Sequence, residues 1–146
     1  MITIRPAGRG DIPALVAIDP LTLSDAGRRQ AIAQWAAAGK CFLALRGDAP
    51  VGYVALTQAF FHQPFVELLI VAQAARRSGV GLALLGHCIE QTPVGDKLWS
   101  TTNRSNLAMQ GLLAKGGFMR SGTIENLDEG DPELVFLLRR TASTAA

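Results

Sequence analysis

Two adjacent arginines, Arg76 and Arg77, stand directly ahead of Ser78-Gly79-Val80-Gly81-Leu82. Upstream lies the apolar run Phe65-Val66-Glu67-Leu68-Leu69-Ile70-Val71, which reads as a mostly buried strand. Downstream, a helical spacing of apolar residues continues to about Gln91. A strand feeding a glycine-containing loop into a helix N-terminus makes an anion site. The first helical turn carries backbone N–H groups without partners, and the helix dipole adds partial positive charge. Glycine lets the backbone approach a bound group closely, and arginine adds full charge on a planar donor fork. The residue types and their spacing imply a phosphate or pyrophosphate site.

Spacing separates the phosphate-binding motifs. A Walker loop needs G-x-x-x-x-G-K-[ST], and the chain has no such string. A dinucleotide fingerprint needs Gly or Ala where this chain has Leu84, and normally sits on the first strand of its domain. The remaining form, R-x-x-G-x-G, is met by Arg76-x-x-Gly79-x-Gly81. A plain strand–turn–helix with packing glycines and solvated arginines would give the same string.

Within the apolar strand Glu67 is the only ionisable residue. Desolvation in such a strand would raise a carboxyl toward the working range of a general base. A strand-end glutamate facing solvent is the competing reading.

These residues need a framework, and length and composition bound it. At 146 residues, residues 1–140 are expected to form one domain and 141–146 a loose tail. Hydrophobic residues make up 49%, which indicates a globular chain. A net charge of +2, with no basic run beyond a pair of arginines, argues against nucleic acid as a partner. Cys41 and Cys88 share no metal-ligand spacing and make no disulfide framework, so reduced thiols and no metal are expected. Without an apolar signal core or membrane-length run, a soluble cytoplasmic protein with no membrane partner is expected.

The elements follow in order. Ile2 and Ile4 alternate with polar neighbours in a strand ending at Pro6. Asp11-Ile12-Pro13 reads as an N-cap and first turn of a helix through Ile18, broken by Asp19-Pro20. Ser24 or Asp25 can cap a second helix carrying Ile32 and Trp35 and ending near Gly39. Strands over 41–45 and 51–61 flank a turn at 47–50, and a turn at 62–64 leads into the central strand. Beyond the central helix, the pattern predicts a strand over 97–102, a helix over 103–116 stopped by Gly117, and strands over 118–125 and 133–139.

The order β-α-α-β-β-β-α-β-α-β-β, together with R-x-x-G-x-G on the central strand–helix joint, resembles the GNAT superfamily of acyl-CoA-dependent N-acetyltransferases. Asn106, followed by a helix and then Gly117-Phe118, resembles that family's N-(x)10-G-F element. The closing string IENLDEGDPELVF is similar to the last hairpin of some bacterial members. The resemblance implies an α/β fold of the α+β type: a mixed, mostly antiparallel central sheet with helices on both faces.

It also implies acetyl-CoA as cosubstrate and a primary amine, of a small molecule first, as acceptor. Alternatives are a protein N-terminus or lysine, and a weakly catalytic acyl-CoA-binding sensor or interaction module. Backbone groups of Leu69, Ile70 and Val71 would hold the pantetheine arm, with the Val71 region aiming an N–H at the thioester oxygen. The amides of Arg77, Ser78, Gly79, Val80, Gly81 and Leu82 would hold the pyrophosphate; Arg76 would contact a phosphate, and Asn106 would face the CoA arm. Glu67 is the first candidate for the base. Many members place a tyrosine acid where this chain has Leu113. The lone Tyr53 lies on a middle strand, which leaves water, Ser100, Thr101, Ser105 or unassisted thiolate departure. Homodimers are frequent in the family, but no interface signature stands out.

Other residues carry weaker signals. His62 beside Phe60 and Phe61 could border an acceptor site or be a turn histidine. His87 and Cys88 diverge on a helix and make no metal pair. Asp128, Glu129, Asp131 and Glu133 could attract a cationic amine, or simply solvate a loop. Trp35 reads as core.

Overall fold

Alternation sets the first edge of the sheet. In the computed structural model, which describes residues 1–142, Ile2 and Ile4 are half-buried while Thr3 and Arg5 are exposed, as a strand covered on one face requires. This strand, β1 (Ile2–Pro6), is followed by α1 (Ile12–Ile18), α2 (Ala26–Ala37), β2 (Cys41–Arg46), β3 (Ala49–Phe60) and β4 (Gln63–Val71). Then come α3 (Val80–Gln91), β5 (Lys97–Asn103), α4 (Leu107–Lys115), β6 (Met119–Ile124) and β7 (Glu133–Arg139). The expected element order is found. The strands form one mixed sheet in the order β1-β2-β3-β4-β5-β7-β6. β4 and β5 pair in parallel, whereas β1–β2, β2–β3, β5–β7 and β6–β7 are antiparallel.

By its contacts the chain falls into two compact units. One is Met1–Leu56 with Leu68–Leu84; the other joins Thr57–Glu67 to the chain from Leu85 onward. The first is built on Ala7, Leu15, Ile32, Cys41, Leu43 and Tyr53, with Trp35, Leu68 and Ile70 packed against them. Gly52 belongs here because a Cβ on it would stand 2.9 Å from the Ile70 carbonyl oxygen. The second buries Leu85, Leu98, Leu113, Phe118, Leu134, Phe136 and Leu138. Its β5–β7 ladder runs unbroken from Lys97–Arg139 to Asn103–Glu133.

Local chemistry explains the boundaries that differ from expectation. The helix expected over 103–116 begins at Leu107. Asn103 instead ends β5, with its side-chain amide donating to Asp128 Oδ2 at 2.8 Å and to the Asp131 carbonyl at 3.0 Å. Asn106 is the N-cap, its oxygen accepting the Met109 amide at 3.0 Å. The turn expected at 62–64 is carried by Phe61 and His62, at φ 54° and 61°. Two left-handed residues make the tight hairpin that matches strand twist. Gln63 and Pro64 lie inside β4. Asp11 precedes α1 but does not cap it by its side chain; its carboxylate binds Arg5 and the Gly8 amide, each at 2.9 Å. Asp25, not Ser24, caps α2, accepting from the Gly27 amide at 2.8 Å. Of the tail expected to be loose, 141–146, the first two residues are exposed and 143–146 lie outside the described residues.

Candidate active site

The loop between β4 and α3 has the form the sequence implies. After a 3-10 turn, Gln73–Ala75, the chain turns through exposed Arg76, Arg77, Ser78 and Gly79 into α3. Gly79 sits at φ 89°, where a side chain is strained, and nothing lies within 4 Å of where its Cβ would be. Its glycine serves the turn and leaves open space in front of the backbone. Arg77 also adopts a left-handed conformation, φ 61°, at a cost of about 1–2 kcal/mol for a residue with a Cβ. Ala83 bonds back to the Gly79 carbonyl at 3.0 Å, so the amides of Val80, Gly81 and Leu82 before it are the orphan donors of the first helical turn. These donors and the open space suit a phosphate group.

A residue the motif does not contain holds this loop. Arg46, at the end of β2, donates through Nη2 to the Ser78 carbonyl at 3.2 Å and to Ser78 Oγ at 3.3 Å. Ser78 Oγ in turn donates to the Ala75 carbonyl. Arg76 folds back, its Nε 3.5 Å from the Val71 carbonyl.

Pairing between β4 and β5 is found at Phe65–Trp99 and Val66–Ser100 and does not extend further along β4 among the described residues. β4 continues through Leu68, Leu69, Ile70 and Val71, each half-buried. Glu67 follows the last paired residue. It is exposed, so the desolvated setting suggested by the apolar run is not found. β4 is covered on one face at this point: Val66 is buried while its neighbour looks outward. Glu67 Oε1 accepts a hydrogen bond from the Thr57 hydroxyl at 2.9 Å.

Candidate proton donors are constrained. Tyr53 is fully buried and donates to Asp19 Oδ2 at 2.6 Å, and Arg28 Nη1 meets the same oxygen at 2.7 Å. Burial pushes the Tyr53 phenol well up, and its bond to the Asp19 carboxylate adds to this. Leu113 is fully buried in the second unit. Ser100 is buried and donates to the Val66 carbonyl at 3.0 Å. Ser105 is committed to Asp131, which also accepts its amide at 3.0 Å. Thr101 is half-buried.

The acidic hairpin has structural work. Asp128 and Asp131 receive Asn103 and Ser105, and the Pro132 carbonyl receives the Arg104 amide at 2.9 Å, so these groups pin the β5–α4 turn. Asn106 is exposed and spends its side-chain oxygen on the cap. His62 is exposed on the hairpin and borders an open depression of about 280 Å³ with Gln58, Gln63, Pro64, Gly95, Asp96 and Lys97. That depression shares no residue with the loop or with Glu67. His87 is half-buried on α3, where burial lowers its imidazole against the opposing pull of Glu90. Among the described residues no group of three or more His, Cys, Asp or Glu side chains is arranged to hold a metal ion, and no helix is long and apolar enough to cross a membrane.

The Thr57–Glu67 pair, the Arg46 strut and the Asp19–Arg28–Tyr53 network have no local sequence signal, because each joins residues brought together by sheet register or helix docking.

Comparison with known proteins bears on this arrangement. The acetyltransferase (GNAT) family matches residues 15–118. Among solved structures, a GNAT-family acetyltransferase from Bacillus cereus ATCC 10987 is 34% identical, with a TM-score of 0.88 over 96% of this chain and 98% of that one. A ribosomal-protein-alanine N-acetyltransferase from Brucella melitensis is 25% identical, with a TM-score of 0.74 over 94% of this chain and 99% of that one. The ribosomal-protein-S18-alanine N-acetyltransferase of Escherichia coli, 20% identical, shares the fold at a TM-score of 0.78 over 97% and 95% of the two chains. No curated protein matches the sequence. With a mixed seven-stranded sheet and four α-helices among the described residues, and its R-x-x-G-x-G turn, the chain belongs to the acetyltransferase (GNAT) family.

Proposed function

We propose that this protein transfers the acetyl group of acetyl-CoA to a primary amine of a small molecule. The observation that carries the reading is the strand–loop–helix joint: open amides at the start of α3, the left-handed Gly79, and two exposed arginines. The amides of Arg77, Ser78, Gly79, Val80, Gly81 and Leu82 hold the pyrophosphate, with Arg76 on a phosphate. The backbone of Leu69, Ile70 and Val71 holds the pantetheine amides, and the N–H at Val71 steadies the carbonyl oxygen as it becomes an oxyanion.

An alkylammonium, with a pKa of about 10, must lose a proton before it attacks. Glu67 takes that proton, directly or through water. The amine nitrogen then bonds to the acetyl carbon, the carbon–sulfur bond breaks with sulfur taking the electron pair, and the extra proton on nitrogen passes to the departing thiolate or to water. A thiol pKa of about 8.5 lets the thiolate leave without a dedicated acid. This agrees with the buried leucine at 113 and the committed hydroxyls of Tyr53, Ser100 and Ser105.

Calorimetric titration with acetyl-CoA tests the cofactor site, with Gly81→Glu as the control. Binding by the wild type that is lost in the variant is expected, since the glutamate adds bulk and negative charge to the first helical turn. A folded wild type that does not bind acetyl-CoA would sink the reading.

A second reading, acetylation of a protein N-terminal amine, is favoured by the name of the Brucella relative. Assay with peptides separates it from the first.

A further inference from the structure

Three aromatic rings lie packed together on the same sheet face as Glu67. Phe65 and Trp99 are direct partners in the β4–β5 ladder, so both side chains leave the sheet on one face. The Phe60 ring stacks on Phe65, with centroids 5.2 Å apart, and lies 5.1 Å from the Trp99 ring, tilted by 33°. Phe61 meets the edge of Phe60 at 5.1 Å and is 80% exposed. The rings of Phe60, Phe65 and Trp99 stay half-exposed, unlike the fully buried Tyr53. The Trp99 indole is held by its N–H, which donates to Gln63 Oε1 at 2.7 Å.

Glu67 stands two residues beyond Phe65 on β4. Strand alternation puts its carboxylate on the face of the rings, about 7 Å along the strand. It is exposed, and its position is set by Thr57. It joins no ion pair among the described residues, where the ion pairs are Arg5–Asp11 and Arg28–Asp19. Aromatic faces attract cations and stack on other rings, and a fixed carboxylate supplies the counter-charge. A ligand with a ring at one end and an ammonium at the other meets both features at once.

Resting on the transferase reading, we propose that Phe60, Phe65 and Trp99 form the acceptor floor, and that the acceptor is an arylalkylamine. Its ring lies on the floor, and a short tether carries the amine to Glu67. A floor of this kind acts in binding the acceptor and leaves acetyl-CoA binding untouched.

The test compares 2-phenylethylamine with n-butylamine, using acetyl-CoA and the full chain. Wild type is expected to favour 2-phenylethylamine in kcat/KM by about tenfold or more, the scale of one or two ring contacts. Phe60→Leu and Trp99→Leu should bring that ratio close to one through the amine KM, with the acetyl-CoA KM unmoved. Phe60→Tyr keeps a ring and should keep the preference. Equal kcat/KM for the two amines in wild type, or a preference that survives in both leucine variants, overturns the proposal. A purely structural cluster would lower the melting temperature without changing the ratio.

If acetyl-CoA binds but no amine is acetylated, calorimetry with 2-phenylethylamine decides. Binding that is lost in Trp99→Leu keeps the floor and sinks the transferase reading; no binding sinks the floor. A short peptide with an N-terminal phenylalanine tests the same chemistry from another source. Its acetylation, weakened in the same leucine variants, would support the floor and place the ring on a peptide acceptor.

Discussion

The Thr57 hydroxyl donates to Glu67 Oε1 at 2.9 Å while its oxygen accepts the Ala59 amide at 3.2 Å. An amide can only donate, so the Thr57 proton is directed at the glutamate, and one carboxylate oxygen is fixed while the other is open to solvent or substrate. If Glu67 is the base, Glu67→Gln should lower kcat by about 10²–10⁴-fold with acetyl-CoA affinity intact. Thr57→Val, which only frees the carboxylate, should cost less. Steady-state rates and calorimetry on the same preparations check both, and unchanged turnover in Glu67→Gln would remove it from the mechanism.

Tyr53 is expected to matter for stability and not for turnover. Its hydroxyl is spent on Asp19 inside the first unit. Tyr53→Phe removes one buried hydrogen bond but leaves Asp19 bound to Arg28 and to the Leu21 amide. A loss of about 1–2 kcal/mol in denaturant unfolding is expected, with kcat near that of wild type. A large fall in kcat at unchanged stability would reinstate Tyr53 as a proton donor.

Gly52 offers a way to disturb the loop from behind. A Cβ there would stand 2.9 Å from the Ile70 carbonyl, 3.0 Å from Val80 Cγ1 and 3.2 Å from Leu84 Cδ1. The carbonyl belongs to β4 and cannot swing away, so Gly52→Ala must shift that strand or the start of α3. Overpacking of this kind costs about 1–3 kcal/mol. A lower melting temperature together with weaker acetyl-CoA binding is the expected pair of outcomes.

The two thiols should be silent in the folded protein. Cys41 and Cys88 are free and fully buried, and burial pushes each up to about 12. The thiolate is the reactive form, and little of it exists near neutral pH. A disulfide reagent should therefore titrate no thiol in the native protein and both after unfolding. Rapid native labelling of either would show that its unit opens readily.

What the sequence determined by itself is what acts over a few neighbouring residues. The Arg76-x-x-Gly79-x-Gly81 joint was legible because a left-handed turn and a helix start are local demands, met by glycine and by apolar spacing. The β7 bounds came out as read, and the order of elements likewise, since periodicity is also local. The start of α4 was misjudged at Asn103 because a partner far along the chain, Glu133, extends the β5 ladder to that residue, and Asp128 and Asp131 hold its side chain. Glu67 looked desolvated because an apolar run does not say which of its faces is covered.

Only the tertiary structure decided the rest. Register places Phe65 against Trp99, while hairpin folding brings Thr57 to Glu67 and helix docking brings Tyr53 to Asp19. Each pair joins distant parts of the chain or opposite strands, and no propensity or spacing rule carries that information. Side chains meet across a sheet only once its strands are aligned, and a slip of one residue would turn every one of them to the other face.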